Sequence, residues 1–474
     1  MDSETTIREP RAADGGLDLS PVSRGRTPLL LRFTLFAIFF FPATMVIEPL
    51  GASGTVPTLL CLVLLLAWLA SWLWGLHDPI PVRHPGRLAI SLLLLASIAS
   101  YAALYAGWTG GSTEMTRASA DRWLLLLAAS AALVLVTAEV IRTMADALQL
   151  VRALLAGAFF CCLVGVAQFV FRVNPMEWIQ AAMPGFTYNG GDTPFQIRGS
   201  LMRVAGSTFH SIELGVVAAM LIPLSIWRSL TDPRGRRWFH WAQTALLVFA
   251  VTTTVSRSGI LGLVVALLVF VPFLPRLVRR GLLLSAPFVV AGVFLIVPGF
   301  VGTIASALGA DTSDPSIATR VNNYPRVVQL LDSHPILGSG PGNYTPPDAL
   351  RILDNQYLGS LVTLGIVGLL ATLAYFLLPG IAGVLAARAA VHPALRGLAG
   401  AVAAGALVAA VCSMTFDSLS FPVFALLYPA LVGLAGGVWR MVRREADLRD
   451  DENAATARGA MMARAPAPTA KEVG

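Results

Sequence analysis

Three stretches of the 474-residue chain set charged and amide side chains directly against long apolar runs. "RGSLMRVAGSTFHSIELG" (198–215) brings Arg198, Arg203, His210 and Glu213 to the start of one run. "TTTVSRSG" (252–259) joins two runs with almost no connection and holds Arg257 at their junction. "DNQYLGSLVTLGIVG" (354–368) opens another run with Asp354 and Asn355. A guanidinium fork matches phosphate oxygens bidentately, so Arg257 and Arg203 suit a phosphorylated ligand. An arginine that snorkels to lipid headgroups has the same appearance. Glu213, at or just below a membrane interface, reads either as a functional acid or as half of a structural ion pair. His210 suits a proton carrier or a hydrogen-bonded structural residue.

A fourth stretch, "ATRVNNYPRVVQLLDSHPILGSGPGNY" (318–344), adds Arg320, Arg326 and His334. From Ser316 to Leu331 its apolar positions fit an amphipathic helix, after which three glycines make a turn. Gly338, Gly340 and Gly342 do not form the GxGxxG fingerprint and follow no strand, which argues against a nucleotide loop. A tight turn and a backbone-amide nest for an anion both remain open. Cys61, Cys161, Cys162 and Cys412 all lie inside apolar runs, without metal-ligand spacing or a disulfide framework. With no carboxylate cluster of the DxD kind, no His/Cys cage and no Ser-His-Asp arrangement, neither a metal nor another cofactor is expected.

The elements that position these groups must be membrane helices. Hydrophobic residues make up 56% of the chain and charged residues 13%, against roughly a quarter charged in a soluble domain. About twelve apolar runs are long enough to cross the hydrocarbon: 29–47, 55–76, 87–107, 122–138, 147–171, 211–230, 239–255, 258–275, 281–299, 355–380, 395–413 and 418–439. The expected fold is therefore an all-α polytopic membrane protein. With the N-terminus inside, Arg83 and Arg87, Arg142, "RSLTDPRGRR" (228–237), "RLVRR" (276–280), Arg388 with Arg396, and "RMVRR" (440–444) all fall on one side, as the positive-inside rule requires. The net charge of +7 thus reads as topology and not as a nucleic-acid surface. Residues 1–28 and 441–474 are expected as disordered cytoplasmic tails around a membrane domain at 29–440. Two long connections, 172–210 and 300–354, are expected as ordered outer loops.

In this order the stretches resemble the O-antigen ligase and polymerase superfamily of bacterial membrane glycosyltransferases. "RVAGSTFHSIELG" is similar to the family's Arg-x-x-Gly-Thr-Phe-x-His pattern, and "TVSRSGILG" to its Ser-Arg-Gly turn. The block from Arg320 to "HPILGSGPGNY" and the stretch opening at Asp354 follow in order. In the ligases the last motif reads His-Asn, nine residues, Gly, two residues and a small residue. Here Asn355 is followed by nine residues, then Gly365 and Gly368, and Asp354 holds the position of the family's histidine.

The resemblance implies a metal-independent, GT-C-like membrane glycosyltransferase in the plasma (inner) membrane of a bacterium. It would polymerise or ligate glycans from an isoprenoid-diphosphate-linked donor onto a glycan or lipid acceptor at the outer face. Arg257, Arg203 and Arg320 would hold the diphosphate. Asp354 would act as general base, and Asn355 with His210 would orient the acceptor; Glu213 and His334 are further substrate-binding candidates. Membrane lipid and envelope-assembly proteins are the other expected partners. A transporter or lipid flippase is the alternative, which would favour mid-membrane polar groups, broken paired helices and inverted repeats.

Overall fold

The computed structural model describes residues 18–20, 25–109, 112–190, 196–198, 201–284, 287, 315–344 and 351–463, with backbone alone at 196–198, 201–202, 315–323 and 459–463. Helices dominate, because in hydrocarbon the backbone must satisfy its own N–H and C=O groups. In chain order they are α1 (Leu29–Phe40), α2 (Val56–Leu73), α3 (Pro85–Tyr105), α4 (Glu114–Val140), α5 (Met144–Val166), the short α6 (Met176–Ala181), α7 (Ser211–Thr231), α8 (Arg237–Thr253), α9 (Arg257–Phe270), α10 (Pro315–Ser333), α11 (Gln356–Ala389), α12 (Pro393–Cys412) and α13 (Pro422–Ala463). Side chains mark many of the starts. Thr113 and Thr143 make capping boxes for α4 and α5, and Ser256 accepts from Gly259 N at the head of α9.

Eight of the described helices are long and apolar enough to span a membrane: α2 to α5, α7, α11, α12 and α13. This is fewer than the roughly twelve expected from apolar runs. The run 281–299 falls almost wholly outside the described residues. The others are real helices cut short. Pro42 stops α1 after 12 residues, and Pro272 turns the end of α9 into a 3-10 turn at Val271–Phe273. α8 has 17 residues. At the other extreme α13 runs to Ala463, past residue 441 where a tail was expected to begin. The polar extension is rich in Ala and Arg, which favour helix.

Part of the expected N-terminal tail packs as well: Arg26 N donates to Asp146 Oδ1 at 2.7 Å. In the first long loop, β2 (Thr187–Tyr188) pairs antiparallel with β1 (Met45–Val46) of the α1–α2 connection, and β3 (Gln196–Arg198) pairs with β4 (Leu201–Arg203). Residues 300–314 and 345–350 of the second loop lie outside the described residues.

α7 and α12 are buried along most of their length, whereas α2 presents Val63, Leu66, Trp72 and Leu73 outward. An apolar periphery around a packed centre is what a bundle facing lipid requires. Two prolines inside the central helices are compensated by hydroxyls from neighbours. Pro379 has no N–H for the Tyr375 carbonyl, and Tyr428 OH donates there instead at 2.7 Å. Pro429 leaves the Ala425 carbonyl in the same position, and Ser130 Oγ reaches it at 3.5 Å.

α11 is broken at Gly365, whose φ of 68° and ψ of −165° are open only to glycine at low cost. The backbone groups freed by the break interlock with the 335–340 turn. Ser339 N and Gly340 N donate to Val362 O and Thr363 O, both at 3.0 Å. Ile366 N and Val367 N donate to Pro335 O and Ile336 O at 2.9 and 3.3 Å. A Cβ on Gly365 would collide with the Ile336 carbonyl, and one on Gly338 with the backbone of Thr363. The glycine-rich turn is thus a tight turn shaped to a helix break, and its Ser339 and Gly340 amides are engaged by α11.

Candidate active site

Four segments meet at the end of the bundle where α7, α9, α11 and α13 begin. α7 and α9 approach closely because Gly215 and Gly259 face each other; a Cβ on Gly259 would lie 3.1 Å from Gly215 Cα. This brings β4 against the turn before α9, and buried Arg203 donates from Nε to Thr254 O at 2.9 Å. Arg257 is the first residue of α9, held there by the Ser256 cap. The preceding Val255 has φ 48°, a left-handed conformation that a β-branched residue adopts only under strain. Strain and packing together fix the turn that presents Arg257.

The connection between α12 and α13 ties this turn to α11. Thr415 Oγ1 donates to Ser258 Oγ at 2.8 Å. Gln356 N donates to Ser413 O at 2.9 Å, and Leu419 N donates to Gln356 Oε1 at 2.8 Å. Asn355 is the N-cap of α11, its Oδ1 accepting from Tyr357 N at 3.0 Å and Leu358 N at 3.3 Å. Asp354 therefore precedes the cap, and the capping role belongs to its neighbour.

Asp417 is the residue that the sequence reading passed over. It sits in the 413–421 connection, where Ser420 Oγ donates to its Oδ2. Its Oδ1 lies 3.8 Å from where a Cβ on Gly359 would be, beside the first turn of α11. Partial burial pushes its carboxyl up to about 6 against the Ser420 hydrogen bond, and the nearby Asp354 carboxylate adds to the rise. The available signal was an acid in a short connection between two late apolar runs; its partner, 63 positions earlier in sequence, is not a local property.

Glu213 is fully buried. Its Oε1 accepts from Val423 N and Phe424 N at 2.7 and 2.9 Å, and its Oε2 from Phe209 N at 2.8 Å. It thereby caps the start of α13 from another helix, its carboxylate held by backbone amides. His210 is the N-cap of α7, with Nδ1 accepting from Ile212 N at 3.0 Å. With Nδ1 accepting, Nε2 is the ring nitrogen left to donate. His334 is half-buried at the end of α10, and its carbonyl accepts from Gly338 N at 3.1 Å within the interlocking turn. Val327 of α10 packs with Leu353 and Val362, which lays α10 along the start of α11 beside Asp354. Arg320 lies on α10, with its side chain outside the described residues; Arg198 lies in β3, described by backbone alone.

The fold thus brings Arg203 to the Arg257 turn, and Asp354 and Asn355 to Asp417, with Glu213 and His210 pinning the connection between them. Residues 242–373 match the family model described as O-antigen ligase. The match runs from within α8 through the break in α11 and contains Arg257, Arg320, His334, Asp354 and Asn355. Arg203, His210, Glu213 and Asp417 lie outside it and join it through the contacts above. No curated protein matches the chain.

Proposed function

With the resemblance to the O-antigen ligase and polymerase superfamily carried by residues 242–373 as premise, we propose that this end of the bundle transfers a glycan from an isoprenoid-diphosphate donor to a hydroxyl acceptor. The site would face the outside of a bacterial inner membrane, with both termini in the cytoplasm. The observation that carries the reading is the convergence of the Arg203–Thr254 contact and the Arg257 turn with Asp354 and Asp417 on one connection. Cationic forks on one side and a carboxylate pair on the other suit departure of a diphosphate and deprotonation of an acceptor.

In the step envisaged, Asp354 takes the proton of the acceptor hydroxyl as its oxygen forms a bond to the anomeric carbon. The carbon–oxygen bond to the lipid diphosphate breaks, and its electron pair leaves on the diphosphate. Arg257, Arg203 and Arg320 would meet that developing charge, so the step is written without a metal. Asn355 and the Nε2–H of His210 would orient the acceptor, and the proton would leave Asp354 to solvent after product departs. Asp417 would share the negative charge of the pair and set the proton affinity of Asp354.

The transporter reading predicts a broken helix, and α11 has one. Its freed Val362, Thr363, Ile366 and Val367 groups are taken up by the 335–340 turn, which favours the enzyme. The test is transfer by the purified protein in vesicles supplied with an isoprenoid-diphosphate-linked glycan and an acceptor glycan. Release of the lipid diphosphate coupled to a longer or newly attached glycan supports the reading; movement of intact donor across the bilayer without release would favour the transporter.

A further inference from the structure

At the opposite end of the bundle a cleft of about 560 Å³ opens between the connection into α3, the turn from α4 to α5, and α13. Arg83, Arg142, Arg440, Arg443 and Arg444 line it, with Asp447 as the one acid among its described lining residues. Ile141 and Met441, both buried, give it an apolar floor. Its walls are held in place. His84 accepts from Arg87 N at 3.1 Å to cap α3 and packs against Gly436 of α13, while Arg440 Nη1 donates to Ala138 O at 3.0 Å. Burial, with Arg440 and Arg87 nearby, holds His84 down at about 4, so it adds no charge at neutral pH.

The cleft's depth is informative. α13 rises roughly 27 Å from Pro422 at the candidate site to Arg440, close to the thickness of a bilayer's hydrocarbon. The arginines therefore stand at headgroup level in the leaflet on that side. Basic residues scattered at membrane edges act as topology signals; here they converge from three chain segments on one cavity. Like charges so placed repel, and an anion with several acceptor oxygens relieves that repulsion while accepting guanidinium forks.

We propose that this cleft binds the phosphate-bearing headgroup of an anionic phospholipid. The site is separate from the glycan-transfer reading and stands or falls without it.

The test uses the purified full chain in nanodiscs of phosphatidylcholine containing a minor share of phosphatidylglycerol, with retained lipids counted by native mass spectrometry. The wild type should retain phosphatidylglycerol over phosphatidylcholine by at least about tenfold. Arg142→Gln/Arg443→Gln/Arg444→Gln together should remove the preference. Arg234→Gln/Arg236→Gln/Arg237→Gln, which removes three exposed charges around the start of α8, should keep it. Should the cleft triple fail to fold, Arg443→Gln alone should still lower the preference. Equal loss in both triples would mean diffuse surface attraction and overturn the site, as would a wild type with no preference. Displacement of the lipid by added inorganic phosphate would reassign the cleft to a soluble anion and overturn the lipid proposal.

Discussion

Glu213 and Phe424 are joined by a 2.9 Å hydrogen bond across 211 positions of sequence, from the side chain at the head of α7 to the backbone at the head of α13. Phe209 N and Val423 N donate to the same carboxylate, and the His210 backbone adds a further hydrogen bond. A buried carboxylate held by backbone donors from both elements keeps two helix starts and the site connection in register.

Glu213→Gln should consequently act through stability. The amide keeps one acceptor oxygen and turns a donor toward Phe209 N, leaving at least one buried N–H without its partner, at a cost of about 2 kcal/mol. Thermal unfolding of the purified variant should show the loss, and Glu213→Ala should lose more. A Glu213→Gln protein of wild-type stability without activity would instead place this acid in the chemistry.

Gly365→Ala should damage folding where Gly75→Ala does not. Both glycines have positive φ, but a Cβ on Gly75 meets nothing within 4 Å, while one on Gly365 runs into the Ile336 carbonyl. The Gly75 change should cost about 1 kcal/mol. The Gly365 change should cost several times that and sharply reduce folded protein recovered from membranes, as read by fluorescence-detected size exclusion.

Asp417 links stability and activity to pH. Its folded pKa of about 6 lies above the ordinary value of 3.8, so its protonated form is the one the fold favours. Its contribution to stability is complete below the ordinary value and is lost as pH rises through about 6. Asp417→Asn should flatten the stability profile across that window. If the two carboxylates interact, Asp417 is still protonated while Asp354 ionises, so the same variant should move the limb of the rate profile that lies near pH 6, where Asp417 would gain its charge beside Asp354. An unchanged limb would separate Asp417 from the reaction.

Arg257→Lys keeps a positive charge but removes the fork. With the turn held by Ser256 and Val255 and the protein folded, transfer should fall on the order of a hundredfold. Near-normal transfer would return Arg257 to a headgroup contact.

Much of this arrangement was legible before the fold. Apolar runs located the helices, and the spacing from Asn355 to Gly365 and Gly368 fell on the segment that caps α11 and carries its break. Hydropathy measures how greasy a run is and not where its backbone breaks, so the interruption at Gly365 and the early ends of α1 and α9 at prolines escaped it. The partners of Glu213 and Asp417 also escaped, because each is set by helices distant in sequence. Charge pattern identified the basic end of the bundle but not the cleft, which exists only once α4 and α13 pack.

The proposed transfer requires Asp354 to take the acceptor's proton. Asn355 already caps α11, so an amide at position 354 removes a base and leaves the cap in place. Asp354→Asn in the reconstituted transfer assay should bind the lipid-linked donor as the wild type does and show no turnover, because an amide cannot accept a proton at neutral pH. A folded Asp354→Asn protein that still transfers glycan from the donor would contradict the account.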